Sequence, residues 1–155
     1  MTKKAEFNAE EWTQVVGAPL LAAMRVIAAD KGGSVRETVA VARGYAEAKA
    51  SHEGEFMSAL LAEAPGKQVS GKGRSREDAA SETMTALRQA IRILDRVATE
   101  DEVVEYKRFV FSLAETAARA HKEGGFLGVG GTEVSEAEQA ALDEIAAIFD
   151  ESPSA

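Results

Sequence analysis

The sequence predicts an all-α protein, a compact bundle of six or seven helices made of two pseudo-repeated helical units. Three observations carry that expectation. Helix-start signatures recur along the chain, apolar residues recur at steps of three and four, and strand-like alternation is scarce. The chain has 155 residues, 45% hydrophobic and 28% charged, an ordinary balance for a folded domain. A chain of this length buries about two-thirds of its unfolded surface and needs neither a disulfide nor a metal to hold its core. We therefore expect one helical domain over 1–150 and a short flexible tail over 151–155.

The first start is Asn8-Ala-Glu-Glu11, with Phe7 and Trp12 spaced as a hydrophobic staple across it. Pro19 follows Gly17 and Ala18 in the apolar run behind it. Proline inside a helix costs about 3 kcal/mol but is tolerated in a first turn. The reading is therefore a short helix ending near Val16 and a second running from Ala18 to about Asp30. Ser34-Val-Arg-Glu37 is a capping box opening a helix with Val35, Val39, Ala42, Tyr45 and Ala46 as its apolar residues. Phe56, Met57, Leu60, Leu61 and Ala64 form a further short helix or a continuation past His52. Ser75 opens a long helix whose apolar line is Ala80, Met84, Leu87, Ile91, Leu94 and Ala98. Thr99-Glu-Asp-Glu102 opens the next, with Val103, Tyr106, Val110, Leu113, Ala117 and His121 on one face. Ser135-Glu-Ala-Glu138 opens the last, which carries Leu142, Ile145 and Phe149. Loops are expected over 65–74, rich in Gly, Lys and Ser, and over 124–134, with five glycines among Phe126, Leu127 and Val129.

Composition narrows the function. Asp and Glu total 26 against 18 Lys and Arg, a net charge of −8, whereas nucleic-acid binders need clustered cations. The absence of cysteine removes disulfides, thiolate metal sites and cysteine nucleophiles. The mostly apolar run from Val15 to Met24 is about half of the ~20 residues a membrane span requires. No signal peptide opens the chain, so no membrane span and a cytoplasmic location are expected.

Gly66 to Gly73 approaches a phosphate-binding loop, but Gly73 stands where Ser or Thr is needed and a helix precedes it instead of a strand. The two histidines, His52 and His121, have Lys49 and Ala118 three residues before them, so the Glu-x-x-His pairs of di-iron bundles are missing. Arg88, Arg92 and Arg96 form a stripe that is either a solvated face paired with acidic neighbours or an anion site. Glu123, Glu133, Glu136 and Glu138 gather near the second loop, as a weak divalent-ion site or as carboxylates serving a helix dipole. His121 falls in a last helical turn, where it caps and packs or else faces a ligand. The loop residues Phe126, Leu127 and Val129 either plug one end of the bundle or anchor a partner. No catalytic triad or paired-carboxylate motif stands out, and no cofactor is implied.

Two stretches share a pattern of apolar helix, Gly-Gly turn and Ser-capped helix with Glu at N3: Gly32-Gly33 with Ser34 and Glu37, and Gly124-Gly125 with Ser135 and Glu138. This pattern resembles the tellurite-resistance TerB-like superfamily of small helical bacterial domains, best over Phe109 to Phe149. The resemblance implies a cytoplasmic helical bundle linked to metal or chemical stress and no enzyme activity. If acidic turn residues hold ions in that family, the positions here are Asp30, Glu37, Glu123 and Glu138, although Glu123 stands where an Asp is typical and Lys31 separates Asp30 from Gly32. The leading expectation is a non-enzymatic interaction or scaffold protein. Its working surface is Phe126, Leu127, Val129 and His121, and its partner is another protein or a second copy. The alternative is a weak divalent-ion or oxyanion binder.

Overall fold

The computed structural model describes residues 1–29, 35–63, 76–122 and 134–151. A single 3-10 turn, Lys4–Glu6, precedes six α-helices among these residues: α1 (Ala9–Ala29), α2 (Val35–Ser51), α3 (Glu55–Glu63), α4 (Arg76–Val97), α5 (Glu100–Lys122) and α6 (Glu136–Asp150). The architecture is all-α. Helix α1 is its axis, packed by α4, α5 and α6, and α2 lies against α5. The two proposed units therefore interlock, α2 of the first on α5 of the second and α6 of the second on α1 of the first.

The starts follow the cap chemistry. Asn8 Oδ1 accepts from the Glu11 N–H at 2.9 Å while the Glu11 carboxylate accepts from the Asn8 N–H at 3.0 Å, and the Phe7 and Trp12 rings meet at a tilt, 5.3 Å apart, across them. Ser135 and Glu138 close the same reciprocal pair at α6, as do Thr99 and Glu102 at α5. The expected caps Ser34 and Ser75 lie outside the described residues, as do both expected loops and the end of the tail.

The expected break at Pro19 does not occur, because α1 runs unbroken through Gly17, Ala18 and Pro19. Proline at position 19 has no N–H to offer the carbonyl four residues back, that of Val15. The Tyr106 hydroxyl, reaching over from α5, donates to that carbonyl at 2.7 Å in a fully buried setting. A side chain thus supplies the hydrogen bond that the backbone cannot.

The apolar lines of α4, α5 and α6 turn inward: Leu87, Ile91 and Leu94, then Val103, Tyr106, Val110 and Leu113, then Leu142 and Ile145 are all buried. On α2 the expected face is rotated. Val41, Tyr45 and Ala48 are buried with Glu37, whereas Val39 is 50% exposed and Ala42 and Ala46 are exposed. Helix α3 is separate from α2, with Gly54 between them, and brings Phe56 into an aromatic cluster with Phe7, Trp12 and Tyr106. Helix α1 has the length and mean hydropathy of a membrane-crossing helix, and half of its most apolar window is buried within the bundle.

The N-terminal strand of chain is held by the α5 cap. Glu102 accepts from the Thr2 N–H at 2.9 Å and the Thr2 hydroxyl at 2.5 Å, and Thr2 is 4% exposed. Partial burial opposes the Glu102 charge, but the hydrogen bonds from Thr2 and Thr99 outweigh it and hold the carboxyl at about 2. With the folded value below the ordinary 4.5, the stabilisation is complete above that pH and is lost as pH falls towards the folded value. Glu102→Gln is expected to cost on the order of 1 kcal/mol near neutral pH, after solvent screening. It is also expected to flatten the acid limb, as checked by urea unfolding of both proteins across that range.

Candidate functional site

Helices α2 and α5 run antiparallel. Gly44 meets Leu113, and eight residues further along the chain, just past the end of α2, His52 meets Glu105. At the first crossing point a Cβ on Gly44 would sit 2.8 Å from Leu113 Cδ1, so only glycine permits the approach without a shift. Gly44→Val is expected to cost about 1–3 kcal/mol by overpacking, read as a lowered denaturation midpoint with an unchanged slope.

Along this seam lies an open groove of about 740 Å³. Its α2 wall carries Glu47, Ser51 and His52, and its α5 wall carries Asp101, Val104, Glu105, Arg108, Ser112 and Thr116, with Ala48, Phe109 and Leu113 beneath. Val104 is one of four large apolar residues that are substantially exposed among the described residues, at 45%. The α5 residues follow steps of three and four, so one face of that helix supplies the whole wall.

His52 stands just past the end of α2, its N–H donating to the Ala48 carbonyl at 2.9 Å. Its ring meets Phe109 edge-on at 6.3 Å, and Nδ1 lies 2.5 Å from Glu105 Oε1. An ionised carboxylate only accepts, so Nδ1 carries the proton and Nε2 is left as the second ring edge. This is the base-and-orienter half of a nucleophilic triad. The serines nearest in sequence do not complete it: Ser51 donates to the Ala48 carbonyl and Ser58 to that of His52. The arrangement leaves Nε2 as a ring edge that can hydrogen-bond a ligand, and no serine or threonine hydroxyl is hydrogen-bonded to the His52 ring among the described residues.

Tyr45, whose ring packs edge-on against Phe109 at 5.5 Å, is 6% exposed and its hydroxyl has no protein partner among the described residues. Burial pushes both this phenol and that of Tyr106 upward, with Tyr45 adding to the effect on Tyr106. Both hydroxyls are therefore protonated at any physiological pH.

The expected interaction residues Phe126, Leu127 and Val129 lie outside the described residues, as do Asp30 and Glu123 of the acidic set. His121 falls in the last turn of α5, its side chain outside the description. Glu37 and Glu138 sit in the first turns of α2 and α6, each 1% exposed. Glu138 accepts the Ser135 N–H at 3.0 Å, which gives its carboxylate a capping role. Among the described residues no three His, Asp or Glu side chains converge as metal ligands. In the arginine stripe Arg88 pairs with Glu151 at 3.1 Å and Arg96 pairs with Glu11. Arg92 borders a shallower depression beside Gln14 and Ile93.

The groove itself escaped the sequence. His52 and Glu105 are 53 residues apart and belong to no spacing motif; the one local sign was Gly44 in the middle of an otherwise good helix. No family model matches the chain, and no curated protein or solved structure does either.

Proposed function

We propose that this chain is a non-enzymatic interaction protein, a cytoplasmic helical scaffold of TerB-like type, and that the α2/α5 groove is a working face. The observation that carries the reading is Val104, an exposed valine in the wall of a groove that Phe109 and Leu113 also line, flanked by Asp101, Glu105 and Arg108. An apolar anchor point ringed by charged and hydroxyl side chains has the anatomy of a small protein-binding surface. The His52–Glu105 pair fits this role as a fixed hydrogen-bonding corner. The loop residues Phe126, Leu127 and Val129 with His121 belong to the same proposal as a second surface.

The divalent-ion or oxyanion alternative draws less support. Two of the three stripe arginines have carboxylate partners, and Glu138 serves a helix cap.

The test is a photo-cross-linking residue placed at position 104 and, as a control, at Asp143 on α6, in cells producing the chain. Discrete protein adducts from position 104 alone are expected. Adducts from neither position, or equally from both, would overturn the assignment of the groove.

A further inference from the structure

We infer that the occupant of the α2/α5 groove is a short basic amphipathic helix of another protein, an inference that rests on the groove being an interaction face. Its floor is apolar and its exposed carboxylates stand on both walls, Glu47 on α2 and Asp101 on α5. Among the described residues Arg108 is the one Lys or Arg that lines the groove, and Glu105 is engaged by His52. The chain as a whole carries −8, so a second copy or an acidic partner approaches against repulsion while a basic one is drawn in. Two antiparallel helices with a trough between them suit a third helix, which lays apolar side chains on Val104 and the floor and directs Lys or Arg to the walls.

The experiment titrates the full-length protein with a short Leu/Lys amphipathic helical peptide and with its Leu/Glu counterpart, read by isothermal calorimetry and by amide chemical shifts. Saturable binding of the Leu/Lys peptide is expected, with shifts confined to α2 and α5. Val104→Asp is expected to weaken it about tenfold or more, and Glu47→Gln with Asp101→Asn about three- to tenfold, with the salt dependence reduced. Asp143→Asn with Asp150→Asn on α6 removes equal charge elsewhere and is expected to change affinity less than twofold. All the substituted side chains are exposed, and a circular dichroism melt confirms that each variant is folded.

Groove binding of the Leu/Glu peptide as tight as that of the Leu/Lys peptide would overturn the basic occupant and leave the interaction face standing. An equal loss in the α6 variant would likewise reduce the effect to overall charge. A doubled mass in sedimentation that Val104→Asp abolishes would name a second copy as the occupant instead. Binding indifferent to Val104→Asp, or no binding of either peptide, would overturn both readings.

Discussion

Phe56→Ala is expected to lower the free energy of unfolding by about 3–5 kcal/mol, the range for removing a buried aromatic ring. Phe56 is 1% exposed at the centre of a cluster, 6.1 Å from the Phe7 ring, 6.3 Å from Trp12 and 6.4 Å from Tyr106. These rings join the N-terminal segment, α1, α3 and α5. Helix α3 has nine residues, too few to be stable alone, so its place depends on this ring and its neighbours Met57, Leu60 and Leu61, all buried. A domain of this size has about 5–15 kcal/mol in total, and the loss corresponds to a fall in Tm of roughly 6–20 °C. Trp12 also donates to Glu63 at 2.9 Å, and Lys4 meets the same carboxylate, so the corner around α3 is expected to loosen as a unit. Hydrogen exchange in α3 should accelerate more than in α4, and a uniform change across both would show that the cluster does not hold α3 specifically.

Tyr106→Phe is expected to cost about 1–3 kcal/mol although it deletes one oxygen atom. The cost arises on the other side of the contact, because the Val15 carbonyl, buried and facing Pro19, loses its donor. The decisive comparison is Pro19→Ala, which gives position 19 an N–H for that carbonyl. In the Pro19→Ala background the cost of Tyr106→Phe is expected to fall to a few tenths of a kcal/mol, the difference being the coupling energy of a double-mutant cycle. Urea unfolding of the four proteins measures it. Equal costs in both backgrounds would mean that the hydroxyl does not substitute for the missing amide. Tyr45→Phe is the internal contrast: its hydroxyl has no protein partner among the described residues, and its loss is expected to cost less than half as much.

Much of the helical layout was legible in the sequence because caps and periodicity are local. Asn8, Thr99 and Ser135 each mark a start through a bond to a residue three further on, and the lines on α4 and α5 need only the 3.6-residue repeat. Where a neighbour intervened, local reasoning failed. The proline rule places a break at Pro19 because it assumes that nothing replaces the lost bond, and Tyr106 replaces it from 91 residues away. The α2 face was misplaced because alanine lies comfortably on either side of a helix. The choice fell to packing on α5, which buries Val41, Tyr45 and Ala48 and leaves Val39, Ala42 and Ala46 outside.

The candidate site divides the same way. Glu37 and Glu138 were visible as the third residues of capping boxes, but their burial was not, since the sequence gives carboxylates no sign of what will cover them. The groove was invisible, because it exists only where α2 and α5 lie antiparallel with Gly44 against Leu113 and His52 against Glu105. By itself, then, the sequence determined the all-α class, the starts at Asn8, Thr99 and Ser135 and the acidic, cysteine-free character that narrows the function classes, since each depends on neighbours within a turn or on a sum over the chain. Tertiary structure alone decided that α1 stays whole, which face α2 buries and where the α2/α5 groove lies. Those outcomes depend on contacts between residues distant in the chain, whose energies no local pattern encodes.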